Sequence, residues 1–365
     1  MTPLAVNAES PFWSPGVAGL EPYVPGEQPR IPGLVKLNTN EHPLPPSAHV
    51  TQAIARAAHE GLERYPDPES TALREALAAR LGLAPAQVFV GNGSDEVLGH
   101  AFFAFFRRAE PLLFPDVTYS FYRVWAQLYG IPAETVPVDA GLRIDVEALA
   151  ARAARGCGGI VVANPNAPTG IGLPLAAVER LLAAAPQRVL LVDEAYVDFG
   201  GESAVGLIAR HPNLLVVQTM SKSRSLAGLR VGFALGQAPL VEALNRVKNS
   251  FNSYPLDRLA QAGALASLED EAAFRRGCRE VMDTREGLTL QLEDLGLEVL
   301  PSQANFVFAR HPRRDAAALA AALRERAVLV RHFRQPRIDA WLRISIGTRD
   351  QCGALVAALQ AVLAA

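Results

Sequence analysis

The chain has 365 residues, half of them hydrophobic, which is enough for a large core and for two domains. Its formal net charge of −2 gives no electrostatic case for nucleic acid or for an acidic membrane surface as a partner. Three cysteines, Cys157, Cys278 and Cys352, are too few and too scattered for a disulfide framework or a metal site. No signal-peptide pattern and no membrane-length apolar run is present, so we expect a soluble, cytoplasmic protein with reduced thiols.

Residues 1–35 are rich in proline and glycine and are predicted to form an extended arm rather than a packed element. Such arms often lie on a partner subunit. A merely disordered terminus is the alternative interpretation of the same composition.

Strands alternate with helices through the middle of the chain. The first two helices are predicted over 47–62, with Ser47 as the N-cap, and over 70–83, opened by Ser70 or Thr71. Five short strands rich in β-branched residues are predicted over 87–93, 111–116, 158–166, 188–196 and 213–220. This alternation indicates an α/β protein with a mostly parallel sheet, whose site lies beyond the carboxyl ends of the strands.

The first of these strands runs through glycines into a helix that starts at Ser94 and Asp95, in the segment VFVGNGSDEVL. Backbone N–H groups and the helix dipole at such a start favour an anion such as a phosphate. A helix-capping turn is the simpler alternative. Because the third glycine of the dinucleotide fingerprint is missing, the pattern disfavours an NAD-dependent oxidoreductase.

The strand around residue 161 ends in an Asn/Pro loop, VVANPNAPTGIG. An asparagine of this loop, Asn164 or Asn166, could donate a hydrogen bond to an oxygen of a cofactor. An ordinary turn is the alternative.

An apolar strand ends at Asp193 in VLLVDEAYVDF, with Tyr196 three residues on. A buried carboxylate can keep the ring nitrogen of a pyridine cofactor protonated, which is the role that Asp193 suits. Tyr196 could hydrogen-bond the phenolic oxygen of the same cofactor. A magnesium or acid–base pair of Asp193 with Glu194 is the alternative, but adjacent strand residues point to opposite faces.

The segment TMSKSRSLAGLRVGF brings Lys222 to the end of a buried strand, beside small residues. Desolvation and nearby cations lower the pKa of such a lysine, so that its amine can attack an aldehyde. Ser221 and Arg230 are placed to hold a phosphate, for which arginine offers a planar fork. A solvated surface lysine is the alternative for Lys222.

Near residue 255 the pattern changes to a long helical stretch followed by strands and helices of α+β type. The predicted organisation has three parts. They are an N-terminal arm over 1–35, a large cofactor-binding domain over 36–258, whose residues 36–46 link to the small domain, and a small C-terminal domain over 259–365.

Taken in this order, the motifs resemble those of fold-type I aminotransferases that depend on pyridoxal 5′-phosphate (PLP). Within the class II branch, the chain is similar to the histidinol-phosphate aminotransferase family. The resemblance runs nearly end to end, through GLEPYVPG, KLNTNEHP, RYPDP, GNGSDE, PNAPTG, DEAY, SKSRSLAGLR, NSYPLDRLAQ, SQANFVF, VRHF and LRISIGT. It implies a large domain with a mostly parallel central sheet, a smaller α+β domain and an N-terminal arm.

The resemblance also implies roles for residues of this chain. Lys222 resembles the lysine that holds PLP as a Schiff base, Asp193 the partner of the pyridine nitrogen, and Tyr196 the partner of the phenolate. Tyr119 is similar to the aromatic residue that stacks on the cofactor ring. The residues that resemble a phosphate cup are Gly93, Ser94, Asp95, Ser221 and Arg230.

Two further implications concern the partner subunit and a departure from the family pattern. Tyr65 resembles a tyrosine that reaches the phosphate in the neighbouring subunit, which implies a homodimer with shared active sites. Many relatives have asparagine directly before Pro-Thr-Gly, where this chain has Ala167. Asn166 or Asn164 would have to supply that hydrogen bond.

On the substrate side, Arg343 resembles the arginine that binds the anionic end of the substrate. Histidinol phosphate carries a phosphate ester instead of a carboxylate, and Arg331 is a plausible second fork for its greater charge. Tyr23, Asn40 and Glu41 come from segments that close over the site in the family. A solvated strand-end arginine and packing on the partner subunit are the alternatives for Arg331 and Tyr23.

The implied reaction is a ping-pong transamination of L-histidinol phosphate with 2-oxoglutarate, which yields imidazole-acetol phosphate and glutamate in histidine biosynthesis. The freed amine of Lys222 would act as general base and then as general acid. An aromatic amino-acid aminotransferase and a threonine-phosphate decarboxylase share the fold and the anion sites. A PLP-binding regulatory domain is the non-enzymatic alternative. Because fold alone does not settle function, the site residues must distinguish these alternatives.

Overall fold

The protein is described here by a computed structural model covering residues 12–14 and 16–364. The first eleven residues of the predicted arm, Pro15 and Ala365 lie outside the described residues. The regular elements are, in chain order, β1 (Val35–Leu37), α1 (Ala48–Ala58), α2 (Thr71–Leu81), β2 (Val88–Asn92), α3 (Gly93–Phe105), β3 (Leu112–Pro115), α4 (Phe121–Leu128), β4 (Ala133–Val136), α5 (Val146–Ala154), β5 (Gly159–Ala163), α6 (Leu175–Ala184), β6 (Leu190–Asp193), β7 (Leu214–Thr219), β8 (Val231–Gly236), α7 (Ala238–Phe251), α8 (Arg258–Glu269), α9 (Glu271–Asp294), β9 (Glu298–Val299), β10 (Phe306–Arg310), α10 (Ala316–Glu325), β11 (Val328–His332), β12 (Leu342–Ser345) and α11 (Arg349–Leu363).

The larger sheet has seven strands in the order β2-β8-β7-β6-β5-β3-β4. The pairs from β4 to β7 are parallel, whereas β8 is antiparallel to both β7 and β2. Strands β2, β5, β6 and β7 therefore end at the same edge of the sheet. The predicted α/β fold with a mostly parallel sheet is confirmed, and the four motif-bearing strand ends meet at that edge.

Alternate residues of the central strands face two separate hydrophobic cores, as the two-residue period of a strand requires. Ile160 and Val162 of β5 pack with α5 and α6 on one face of the sheet. Val161 of the same strand packs with α3 and α4 on the other face. Both faces of the sheet are covered by helices, so these strands read as continuous apolar runs in the sequence.

A second, five-stranded sheet has the order β1-β11-β12-β10-β9. Strand β1 pairs in parallel with β11, Val35 with Val328 and Leu37 with Val330. The β1 strand thus joins the sheet built from the C-terminal part of the chain, and α9, α10 and α11 pack on that sheet around a core of their own.

Helix starts differ from the sequence prediction in one respect. Ser47 and Ser70 precede α1 and α2 as predicted, but neither side chain makes a capping hydrogen bond. Asp257, Asp270 and Asp315 do accept capping bonds at the starts of α8, α9 and α10. Among the described residues, no helix is long and apolar enough to span a membrane.

Candidate active site

A cavity of about 440 Å³ lies between the two sheets, at the edge where β2, β5, β6 and β7 end. Most of the residues predicted for the site line this cavity. They are Tyr23, Asn40, Ser94, Asp95, Tyr119, Asp193, Tyr196, Ser221, Lys222, Arg230, Arg331 and Arg343. The cavity is therefore built from parts of the chain that are far apart in the sequence and that the fold brings together.

Lys222 lies three residues after the end of β7, and its amine is buried in the cavity. Its Nζ donates to the carbonyl of Thr39 at 3.3 Å and lies 5.8 Å from the centre of the Tyr196 ring. Burial, and after it the charge of Arg343, lowers the pKa of the Lys222 ammonium to about 8. An appreciable fraction of this amine is therefore neutral near pH 8, which is the form that attacks a carbonyl group.

Asp193 ends β6 and lies against α4. Its Oδ2 accepts from the Tyr122 hydroxyl at 2.9 Å, and its Oδ1 accepts from the Ala195 N–H at 3.2 Å. Burial raises the pKa of the Asp193 carboxyl to about 6, although the hydrogen bond from Tyr122 opposes the rise. A cation next to this carboxylate would offset the cost of burying its charge.

The neighbouring carboxyl, Glu194, points away from the cavity. It accepts hydrogen bonds from the Ser203 hydroxyl at 2.6 Å and from the Gln218 amide at 2.8 Å. Burial raises the pKa of Glu194 to about 7. Because Asp193 and Glu194 serve opposite faces of the sheet, they do not form a carboxylate pair.

The start of α3 forms a concave cradle with the segment after β7. Gly93 has a φ of +77°, and a Cβ built on it would lie 2.5 Å from Nη2 of Arg230. Arg230 pairs with Asp95 at 3.0 Å and lies 3.4 Å from the Ser221 hydroxyl. The Ser94 side chain completes this wall of the cavity. A helix N-terminus, two hydroxyls and a guanidinium on one wall are what an anion such as a phosphate ester requires.

Two arginines of the five-stranded sheet line the opposite part of the cavity. Arg343 of β12 donates to the Asn38 carbonyl at 2.7 Å, and burial lowers the pKa of its guanidinium. Its Nε is buried and has no hydrogen-bond partner within the described part of the chain. Arg331 of β11 donates to the Val24 carbonyl at 3.3 Å. Tyr23 stacks on Phe121 at 4.9 Å and covers this region from the N-terminal segment.

Tyr119 lies on the wall near the cradle. Its hydroxyl donates to Asp95 at 3.2 Å, and its ring centre is 6.3 Å from that of Tyr23. Burial raises the pKa of Tyr119 well above its usual value, so the phenol stays neutral. Its ring therefore presents a neutral aromatic surface inside the cavity.

Three predicted residues lie elsewhere. Asn166 is buried in its loop, where its amide donates to the Val117 carbonyl at 3.0 Å and to the Thr169 hydroxyl at 3.2 Å. Both of its amide hydrogens are thus used within the protein, so this geometry does not provide the predicted cofactor contact. Glu41 pairs with Lys36 at the rim. Tyr65 is 79% exposed and stacks on Tyr254 at 4.6 Å.

Several residues of the site do not stand out in the sequence. Tyr122 is fully buried against Asp193, and Thr39 supplies the carbonyl that faces Lys222. Gln28 and Phe333 also line the cavity. The amphipathic pattern of α4 was a signal for a buried face, but it does not tell which tyrosine reaches a neighbouring strand end.

The chain belongs to the aminotransferases of class I and II, because a family model of that description matches residues 32–359. It is an enzyme of this class. Among curated proteins it is 60% identical to histidinol-phosphate aminotransferase from Acetobacter pasteurianus over 97% of this chain and 98% of the relative. It is 61% identical to histidinol-phosphate aminotransferase 1 from Bradyrhizobium diazoefficiens over 97% of this chain and all of the relative.

Solved structures agree with this fold. The histidinol-phosphate aminotransferase from Sinorhizobium meliloti, in complex with pyridoxal-5′-phosphate, superposes with a TM-score of 0.82 at 27% identity. The match covers 90% of this chain and 90% of that protein. A putative histidinol-phosphate aminotransferase from Erwinia carotovora gives a TM-score of 0.83 at 28% identity, over 90% of this chain and 95% of that one. The predicted relationship to this family is confirmed.

Proposed function

We propose that this aminotransferase transfers the amino group of L-histidinol phosphate to 2-oxoglutarate, with PLP as cofactor, and releases imidazole-acetol phosphate and glutamate. The observation that carries the proposal is the pair of guanidinium groups, Arg331 and Arg343, in the same cavity as the buried amine of Lys222. The names of relatives at about 60% identity over 97% of the chain support the same reaction.

The residues of the cavity fit PLP. Lys222 would hold its aldehyde carbon, and the cradle of Gly93, Ser94 and Arg230 would hold its phosphate. Asp193, whose burial raises its pKa to about 6, would face the protonated ring nitrogen and gain a cationic neighbour. When bound, PLP supplies an electron sink for the charge that develops on the substrate carbon.

The protein's own groups would perform three tasks. The Lys222 amine takes the proton from the substrate carbon that bears the nitrogen, and the pKa of about 8 lets its Nζ accept and release that proton near neutral pH. Asp193, held by Tyr122, keeps a proton on the ring nitrogen. Tyr23, stacked on Phe121, covers the cavity and limits the access of water.

The charges of the lining favour a doubly anionic substrate. Four cationic groups, Lys222, Arg230, Arg331 and Arg343, share the cavity with two carboxylates, Asp95 and Asp193. Arg230 is already paired with Asp95 at 3.0 Å. The other two arginines are left for the far end of the substrate, and the buried Nε of Arg343 gains a partner when an anion binds there.

The test is a coupled assay of the purified enzyme with 2-oxoglutarate as acceptor and histidinol phosphate, phenylalanine or threonine phosphate as substrate. We expect kcat/KM to be highest for histidinol phosphate, and Arg331→Gln to lower it by about tenfold or more while phenylalanine is affected less. Arg334→Gln, at an exposed arginine nearby, is the matched control and should change neither value.

Two outcomes would contradict the proposed substrate. A preference for phenylalanine that survives Arg331→Gln would favour an aromatic amino-acid aminotransferase. Release of carbon dioxide from threonine phosphate would favour the decarboxylase.

Assembly and location belong to the same proposal. We propose a homodimer in which the exposed, stacked Tyr65 reaches the site of the neighbouring subunit. The three cysteines are free and buried, which supports the proposed cytoplasmic location.

We also propose a division into a large domain, a small domain and an N-terminal arm. The arm would end near residue 35, where β1 joins the sheet of the small domain. Packing favours a second boundary after α8 rather than at residue 258, because Ala260 and Ala264 belong to the core of the larger sheet.

A further inference from the structure

Ala167 leaves one position of the cavity wall without a hydrogen-bond donor. Its side chain is 5% exposed, lines the cavity and packs with Phe306 in a cluster that Tyr196 joins. A methyl group cannot donate, and both amide hydrogens of Asn166 are used by the Val117 carbonyl and the Thr169 hydroxyl. On this side of the cavity the Tyr196 hydroxyl is left as the donor.

The Tyr196 hydroxyl accepts a hydrogen bond from a residue far away along the chain. Nδ2 of Asn40 lies 3.1 Å from the Tyr196 oxygen and donates to it. Among the described residues, no acceptor is found for the hydroxyl hydrogen of Tyr196. With the Asn40 bond in place on an oxygen lone pair, this hydrogen is free to point into the cavity.

Three further hydrogen bonds hold Asn40 in place. Its backbone N–H donates to the Ser345 hydroxyl at 2.9 Å, and that hydroxyl donates to Oδ1 of Asn40 at 2.8 Å. Its carbonyl accepts from the buried amide of Asn305 at 2.9 Å. In this orientation Oδ1 of Asn40 accepts the Ser345 hydroxyl hydrogen and Nδ2 faces the Tyr196 oxygen.

The backbone at Asn40 is left-handed, with a φ of +56°. Asparagine tolerates this conformation better than most residues with a side chain. Asn40 is also 1% exposed, which leaves it little freedom to move. These features hold the amide against Tyr196 before any ligand binds.

We infer that Asn40 is a positioning residue: it holds the Tyr196 hydroxyl so that the hydroxyl donates toward the cofactor's ring oxygen, and it compensates for the missing donor at Ala167. The inference rests on the proposed function, since it requires PLP in this cavity. Asn40 was predicted as a substrate-binding residue, and the structure assigns its amide this other contact.

The physical consequence is a stronger donor at Tyr196. A phenol whose oxygen accepts a hydrogen bond gives up its own hydrogen more readily. Burial raises the pKa of Tyr196, whereas Arg343 and the hydrogen bond from Asn40 lower it. A strong donor at the ring oxygen stabilises the form of the bound cofactor that has lost its titratable proton. Loss of Asn40 should therefore raise the pH at which the cofactor's visible absorption changes.

The test is a pH titration of that absorption in the holoenzyme. Asn40→Gly keeps the left-handed backbone and removes only the side chain. We expect the midpoint to rise by about 0.5 to 1 pH unit, the worth of one hydrogen bond. In a Tyr196→Phe background the same substitution should leave the midpoint unchanged, because the group through which Asn40 acts is gone.

The shifts in the two backgrounds distinguish a positioning role of Asn40 from a structural one. An equal shift in both backgrounds, or no shift in either, would mean that Asn40 only supports the loop, and would overturn the inference. Should Asn40→Gly not fold, Asn40→Asp keeps the shape but cannot donate, and its shift must be larger with Tyr196 present than with Phe. If the unsubstituted protein takes up no PLP and shows no visible band, the proposed function itself fails.

Discussion

At the scale of single residues, burial sets the pKa of the Asp193 carboxyl group. Its pKa is raised to about 6 from 3.8 because the group is buried, so the folded protein holds this proton more tightly than the unfolded chain. For an acid shifted in this direction, the folded state loses stability as the pH rises from the lower value toward the higher one. Above about pH 6 this loss of folding stability has reached its full size.

Asp193→Asn should therefore stabilise the cofactor-free protein at pH 7.5 while it abolishes transamination. We expect a gain of roughly 1 to 2 kcal/mol, less than the full shift implies, because the one oxygen of asparagine cannot accept from both the Tyr122 hydroxyl and the Ala195 N–H. The gain should shrink as the pH falls to 5, where the folded carboxyl is already protonated. Thermal unfolding at several pH values measures this.

Asp283→Asn, at an exposed aspartate of α9, is the control and should show no such trend. A loss of stability at pH 7.5 on Asp193→Asn would show that the buried carboxylate is better compensated than its surroundings indicate.

At the scale of elements, the first turn of α3 depends on one glycine. Gly93 combines a φ of +77° with the close approach of Arg230. Gly93→Ala would strain the backbone by about 1 to 2 kcal/mol and push the guanidinium out of the cradle. We expect the dissociation constant of PLP, measured by equilibrium titration, to rise by about tenfold or more.

Gly353→Ala is the matched control, because a Cβ on this α11 glycine meets nothing within 4 Å. It should leave PLP affinity unchanged. If the Gly93 variant binds PLP with unaltered affinity, the start of α3 is not part of the phosphate site.

The elements also show where sequence reasoning succeeds. Apolar runs that end in polar residues identified β2, β5, β6 and β7 together with the side chains at their ends, because a strand covered on both faces has no polar alternation to disguise it. The direction of β8 was not predictable in this way. Only the segment from Met220 to Arg230, with no full helix, separates β7 from β8, and the chain returns antiparallel.

Side-chain partners were harder to predict than strand ends. Tyr122 lies in an amphipathic helix, and nothing in its neighbours along the chain reveals that Asp193 is within reach. The contact between Asn40 and Tyr196 joins residues 156 positions apart. Asn166 was a reasonable candidate by residue type, but its amide donates to the Val117 carbonyl of the segment that follows β3. Such pairings follow from the packing of elements, which local sequence does not record.

At the scale of the whole molecule, the proposed dimer with shared sites predicts that two inactive variants restore activity when they are mixed. If Tyr65 serves the neighbouring site, a Tyr65→Ala subunit and a Lys222→Ala subunit each lack a different half of a site. After mixing and reassociation, half of the dimers are mixed and each carries one intact site, so about a quarter of the wild-type activity should return.

The control for this experiment mixes Lys222→Ala with Asp193→Asn. Both residues belong to the same subunit's site, so no intact site forms and no activity should return. Failure of the Tyr65 mixture to regain activity, with exchange of subunits shown by mass, would place Tyr65 outside the catalytic site.

The parallel pairing of β1 with β11 has a consequence for synthesis on the ribosome. Residues 35–37 emerge early, but their partner strand at 328–330 emerges only near the end of translation. The seven-stranded sheet can assemble before β11 is made, and until then the backbone N–H and C=O groups of β1 have no strand to pair with. A nascent chain that stalls before residue 328 would expose this edge, together with the loop that carries Asn40, to chaperones or to other chains.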